Sequence, residues 1–391
     1  MRIIWHGAHP DLPTGYANQA RIWLTRLADT GHDVAISCLA GVEQHFTAWR
    51  TPRGAVLPVY PHTPYEQNGL DVLGSHYKHF NADLLITMTC SWIFGQHAQL
   101  FRDWRTIMIT PVDIGTVRPG DRPGMSDQDH EAIVNTGATP AAVCRWGETQ
   151  MRSRGLDPLY LPHGVETQVF RPPANRGQLR ADAGWQDFFV VGLCAMNHER
   201  SRKNFDEAFG AFAAFREDHP DARLALHTVA ILPEGLNLPA MAREWGIFDA
   251  ILWSRQYELI IGATSEQDLA DWYGACDVVL MLGNEGFGLP TIQAQACGTP
   301  VIAGTWCTGP ELAGEVGWLV DGQPTWNNWH KKHWYTPLIP SVTEALEHAY
   351  DEASAAQATR RKRAREFALT WDADRVWTEH WEPVIKGLAG G

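Results

Sequence analysis

Short apolar runs alternate with amphipathic stretches along most of the chain, a pattern that predicts strands and helices of a parallel α/β fold. The first unit reads as a strand at Ile3–Trp5, a Gly- and Pro-containing loop from His6 to Tyr16, a helix at Ala17–Thr30 and a strand at Asp33–Cys38. Further strands are expected at Leu84–Thr89, Thr106–Ile109, Ala142–Cys144 and Leu159–Leu161. The alternation stops at Phe170-Arg171-Pro172-Pro173, where paired prolines predict an interdomain hinge. It resumes with strands at Phe188–Leu193, Arg223–His227, Ile251–Trp253, Asp277–Leu282 and Pro300–Ala303, and helices at Asn204–Asp218, Ser265–Cys276 and from Pro290. Two doubly wound domains are therefore expected, 1–170 and 171–370, facing each other across a ligand-binding cleft. The tail from Ser341 reads as helical, with apolar spacing at Phe367, Val376, Trp377 and Trp381.

A net charge of -13 over 391 residues disfavours nucleic acid and anionic lipid as default partners. The basic run Arg360, Arg361, Lys362, Arg363 and Arg365 reads as a solvated helix face. The seven cysteines are scattered, odd in number and without a Cys-x-x-Cys pair, as expected of reduced thiols in a cytoplasmic protein. The amino terminus reads as a strand, not a signal peptide, and no apolar stretch is long enough to span a membrane. His76 with His79, and His330 with His333, share helix faces but lack a carboxylate or Cys to complete a metal site. Trp326, Trp329, Trp334 and Tyr335, beside Lys331 and Lys332, read as packing of an irregular connection, with an acceptor platform as the alternative.

The most specific segment runs from Gly283-Asn284-Glu285-Gly286-Phe287-Gly288-Leu289-Pro290 to Ala296-Cys297-Gly298-Thr299-Pro300-Val301-Ile302. Physically it is a strand, a Gly-rich turn, a helix with proline in its first turn and another strand. Glycines let main chain approach a ligand, and free amides at a helix start favour an anion. Glu285 is placed to accept hydrogen bonds from sugar hydroxyls, and Gln293, two helical turns on, to meet a ribose diol. A second segment, Met196 to Phe205, sets Arg200, Arg202 and Lys203 between a strand and a helix, where a cation stabilises a departing diphosphate. A third, Pro13-Thr14-Gly15-Tyr16-Ala17-Asn18, is a loop into a capped helix.

These segments resemble glycosyltransferase family 4, the retaining group 1 glycosyltransferases of GT-B fold. The resemblance covers nearly the whole chain and is most specific from about 190 to 320. It implies two Rossmann-like domains, with a final helix (371–391) crossing back to the first. It implies that Glu285 binds the donor sugar, that the amides of Gly286, Phe287, Gly288 and Leu289 hold sugar and diphosphate, and that Lys203 and Gly15 meet the diphosphate. Three positions depart from the family pattern. Gln293 stands for its second Glu, Asn197 for an Arg whose role passes to Arg202 or Arg200, and Val112 for a His. Asp113 beside Val112 either orients the acceptor hydroxyl or caps its loop.

The function expected is transfer of a hexose-type sugar, with retention, from a nucleotide-diphosphate donor to a hydroxyl acceptor. No metal or other cofactor is expected, since protein cations and amides offset the diphosphate charge. The alternatives are a sugar-nucleotide epimerase or phosphorylase of the same fold, and a degenerate nucleotide-sugar-binding module. The acceptor class, the donor nucleotide and the oligomeric state are not legible, and a nucleic acid acceptor is not favoured.

Overall fold

The apolar runs become strands whose side chains are buried on both faces, as a parallel sheet between helices requires. The computed structural model describes all residues except 67, 114–124, 199–201, 329–331, 353 and 391, so Arg200, Trp329, His330 and Lys331 lie outside the described residues. Two units form. The first takes the described residues of Met1–Asp113, Arg122–Gly164 and Ala373–Gly391, and the second those of Val165–Asp372.

In the first unit the strands are β1 (Arg2–Ala8), β2 (Asp33–Ala40), β3 (Thr47–Arg50), β4 (Val56–Tyr60), β5 (Leu84–Met88), β6 (Thr106–Ile109), β7 (Thr139–Ala142) and β8 (Leu159–Tyr160). Their order is β3-β4-β2-β1-β5-β6-β7-β8, parallel except for the antiparallel edge strand β3. The helix Gly15–Asp29 starts where the Thr14 side chain accepts the Ala17 N–H. Its buried Arg26 pairs with Asp374 at 2.8 Å, tying this helix to the chain's last segment. Trp381 seals that junction. Its ring stacks on Trp23 at 4.5 Å and its indole N–H donates to the Pro162 carbonyl at 2.9 Å. The terminal helices thus belong to the first unit because their aromatic face fills its core.

The second unit holds β9 (Phe189–Cys194), β10 (Ala222–His227), β11 (Ile251–Trp253), β12 (Val278–Met281), β13 (Val301–Gly304) and β14 (Trp318–Val320). All pair in parallel in the order β11-β10-β9-β12-β13-β14. The Asp277 carboxylate, just before β12, pairs with Arg176 at 2.6 Å and Arg180 at 3.0 Å and accepts the Val190 N–H. The proline pair lies within this unit, with the Pro173 ring against Gly274 and Pro172 beside Gly298.

Several local expectations are corrected. The strand expected at Ala142–Cys144 is Thr139–Ala142, because extended Cys144 serves as the N-cap of the next helix and its sulfur accepts the Gly147 N–H. The basic run is not a solvated face. Arg361 donates to the carbonyls of Gly274 and Cys276, Arg365 to those of Thr167, Phe170 and Ala296, and Arg360 to that of Val316, while Lys362 and Arg363 alone stay exposed. Long guanidinium stems reach carbonyls at loop and helix ends, two of which, Gly274 and Cys276, also accept from Arg176. The Trp-rich connection is an antiparallel hairpin, β15 (Gly322–Asn327) and β16 (Lys332–Pro337). His76 is a core histidine, linked with His6 through the Ser37 hydroxyl at 3.0 and 3.1 Å, and His79 pairs with the Tyr60 hydroxyl. Among the described residues no helix is long and apolar enough to cross a membrane.

Candidate functional site

Three loops at the carboxyl ends of β9, β12 and β13 converge in the second unit, the place where open α/β sheets bind ligands. They line a hollow that includes Cys194, Lys203, Glu285, Gly288, Trp306 and Thr308. The β12 loop turns at Gly288, whose φ of +97° lies in the left-handed region where only glycine is comfortable. The helix Leu289–Ala296 begins there with Pro290, which has no N–H, in its first turn, and the Thr291 N–H donates back to the Gly288 carbonyl at 2.9 Å. The Thr308 hydroxyl from the β13 loop clamps this turn by donating to the Phe287 carbonyl at 2.5 Å.

Charge converges on Glu285. The Lys203 ammonium contacts its Oε1, and Arg202 Nη1 lies 3.4 Å from its Oε2. Gly283 leaves room for this pair, since a Cβ there would sit 3.0 Å from Glu285 Oε1 and 3.4 Å from the Lys203 stem. Burial pushes the Glu285 carboxyl up, but the charges of Lys203 and Arg202 and the Lys203 hydrogen bond outweigh it and hold it below its usual value. Two cations and one carboxylate at a helix start can bind an anion and the hydroxyls attached to it. Burial pushes the Cys194 thiol up to about 11, which disfavours its thiolate.

Of the residues singled out in the sequence, Arg202, Lys203, Glu285, Gly286, Gly288 and Leu289 come together at this turn. The main chain of Phe287 lies in the same turn, and its ring packs edge-on against Trp371 at 5.4 Å. Gln293 is buried in the second turn of the helix and does not line the hollow. The Asn197 carboxamide is engaged with the 229–236 loop, donating to the carbonyls of Val229 and Leu236 and accepting the Leu236 N–H at 2.9 Å. Gly15 and Asp113 belong to the first unit, one opening its first long helix and the other following β6. Sequence reasoning missed Asn204, Trp306 and Thr308. The polar residues two of them place beside glycine turns and helix caps were the available signal. Among the described residues no group of three or more His, Cys, Asp or Glu is arranged to hold a metal ion.

Two Rossmann-like α/β units, with the last helices returned to the first, define a protein of the GT-B class. Sucrose-phosphate synthase from Thermosynechococcus elongatus has this fold over the full length of both chains, with a TM-score of 0.76 at 17% identity. Residues 189–327, which hold the whole converging site, match the family described as Glycosyl transferases group 1. Among curated proteins the chain is 32% identical over 202 residues to the D-inositol 3-phosphate glycosyltransferase of Streptomyces avermitilis, covering 49% of this chain and 40% of that one. It is 33% identical over 174 residues to the GDP-mannose-dependent alpha-(1-6)-phosphatidylinositol monomannoside mannosyltransferase of Mycolicibacterium smegmatis, covering 42% of this chain and 43% of that one. The chain thus spans about two fifths of the length of the curated relatives it matches.

Proposed function

We propose that this protein is a retaining glycosyltransferase that moves a hexose-type sugar from a nucleotide-diphosphate donor to a hydroxyl acceptor. The observation that carries the reading is the convergence of Lys203 and Arg202 on Glu285 at the start of the Leu289–Ala296 helix. The glycosyl transferase names of the matched family and of both relatives support the reaction class. In this mechanism the donor's diphosphate takes Lys203 and Arg202 as counter-charges, and the amides from Gly286 to Leu289 meet its oxygens and the sugar. Glu285 then accepts hydrogen bonds from the sugar hydroxyls. The bond from the anomeric carbon to the phosphate oxygen breaks as the acceptor oxygen bonds to that carbon from the same face. The acceptor proton passes to the leaving phosphate oxygen, so the nucleoside diphosphate departs protonated and no side-chain base is consumed. Fixed charges and amides act at the leaving group without reorganising, which is where such sites gain most of their rate. Metal independence, the roles of Gly15 and Asp113, and cytoplasmic residence belong to the same proposal.

Titration of UDP and GDP, followed by release of nucleoside diphosphate from a panel of nucleotide sugars, tests the reading. Turnover with retained anomeric configuration supports it, and failure to bind UDP, GDP or any nucleotide sugar of the panel refutes it. A second reading, a binding module without chemistry, draws on Asn197 being occupied by its own loop and Gln293 being buried. Tight nucleotide-sugar binding with no turnover against a broad acceptor panel favours that one.

A further inference from the structure

The hairpin β15–β16 lies against the site, and its contacts fall on the immediate neighbours of the two charged residues that matter most. Asn284 precedes Glu285 and Asn204 follows Lys203, and both are almost wholly buried, at 1% and 2% exposure. The Asn284 carboxamide treats Tyr335 of β16 as an adjacent strand would. Its Oδ1 accepts the Tyr335 N–H at 2.8 Å and its Nδ2 donates to the Tyr335 carbonyl at 3.0 Å. The same carbonyl accepts from Asn204 Nδ2 at 3.0 Å, while Asn204 also donates to the Leu282 carbonyl at the end of β12, at 2.7 Å. Asn204 sits at φ +51°, a left-handed conformation that Asn tolerates better than most residues and that turns the chain into the Phe205–Asp218 helix.

The anchor is itself held. The Tyr335 ring stacks on Trp306 with centroids 5.8 Å apart and planes 9° from parallel. Trp306 in turn lies so close to Gly304 and Gly322 that a Cβ at either would fall 2.3 or 2.7 Å from its ring. Opposite Tyr335 in the hairpin is Pro324, which has no N–H to offer a ladder. The Tyr335 carbonyl therefore takes no ladder bond from Pro324 and is met by both asparagines.

We propose that the hairpin is a bracket that sets the spacing of Lys203 and Glu285, with Asn204 and Asn284 as positioning residues and the Tyr335 peptide as their common anchor. The loops carrying the cation and the carboxylate share one acceptor atom, which adds to the direct bonds from the Asn284 N–H to the Arg202 carbonyl at 2.9 Å and from Asn204 to the Leu282 carbonyl. Its consequence for the nucleotide-diphosphate donor rests on the function proposed above, whereas the geometric coupling does not.

The experiment has a ligand-free arm and a ligand arm, in the full chain. Hydrogen exchange of the free protein is compared for wild type, Asn284→Ala, Asn204→Gly, which keeps the left-handed backbone, and Trp326→Ala, at an exposed hairpin position, as control. Loss of either asparagine side chain, which removes two bonds, is expected to speed exchange across both 202–204 and 284–289 by at least about tenfold, the equivalent of roughly one net hydrogen bond or more. Faster exchange confined to the loop that was mutated, or none, overturns the bracket. Should Asn284→Ala fail to fold, Asn204→Gly alone decides, because its effect must appear at 284–289. In the ligand arm, UDP and GDP affinity is expected to fall by about tenfold to a hundredfold in both asparagine variants and to hold in Trp326→Ala. The double variant should weaken binding by less than the two single effects combined, because both side chains meet the same Tyr335 peptide. Binding that is unchanged in both variants, in a wild type that binds, overturns the positioning role. A wild type that binds neither nucleotide removes the donor reading and leaves the exchange result to decide the bracket.

Discussion

Replacing Lys203 by methionine keeps most of the stem and removes the ammonium, and it separates the structural role of the charge from its chemical one. Lys203 is 10% exposed and its partner Glu285 31%, so the pair is neither fully buried nor freely solvated. Two unit charges at 4 Å attract by about 4 kcal/mol in such surroundings. Desolvation offsets much of that, and Arg202 remains 3.4 Å from the carboxylate after the change. The net stability loss is therefore expected near 1–2 kcal/mol, which lowers the melting temperature by a few degrees. The chemical loss is expected to be larger, on the order of a hundred- to a thousandfold in turnover, the usual cost of removing one fixed group at a developing negative charge. Nucleoside diphosphate release under saturating donor measures the second effect, and thermal unfolding the first. The pH dependence gives an independent sign. With a carboxyl held below its usual value, Glu285 contributes stability above its unfolded-state value and loses it as pH falls through the lower folded one. Lys203→Met should reduce that acid-side loss, with Arg202 keeping part of it. A variant that loses its few degrees but turns over like wild type would show the pair to be structural only and would sink the mechanism.

Three further outcomes follow from the packing. Asp277→Ala strands Arg180, itself 8% exposed, beside Arg176, and is expected to cost about 3–5 kcal/mol in denaturant unfolding of the second unit. Trp381→Ala empties a fully buried site stacked on Trp23 and should cost about 3–5 kcal/mol, read as an early unfolding of the first unit. Burial holds the neutral imidazoles of His6 and His76 down to about 4 and that of His163 to about 3. The unfolded chain takes up these protons first, so the first unit should lose stability as pH falls from about 6.5 to 4. Urea midpoints at pH 7 and pH 4.5 measure it, and a midpoint that does not move in that window refutes the assignment.

Strands buried on both faces were plain in the chain because a continuous apolar run has few other uses. β6 and β11 fall on the expected residues, and most other strands lie within a residue or two of theirs at each end. The Gly-rich turn into a proline-started helix was equally legible, since both features act through local backbone geometry. β3 and β4 were not, because they are short, carry Pro58 and become strands only by pairing at a sheet edge. The hairpin was missed for a related reason. Its aromatic residues look alike in sequence, yet Trp334 and Tyr335 are buried while Trp326 is exposed.

What the chain determined by itself was therefore whatever depends on neighbours a few residues away: the α/β alternation, the turn at Gly288 and the placing of a cation and a carboxylate at strand ends. Only the tertiary structure decided which polar groups those residues meet. It committed Asn197 to the 229–236 loop, drew Arg361 and Arg365 out of a run that reads as solvated, and made one peptide at Tyr335 the anchor for the flanks of Lys203 and Glu285. The physical reason is range. Propensity and periodicity act along the chain, whereas a buried hydrogen bond is satisfied by whichever partner the packing brings near, here 51 residues from Asn284 and 131 from Asn204.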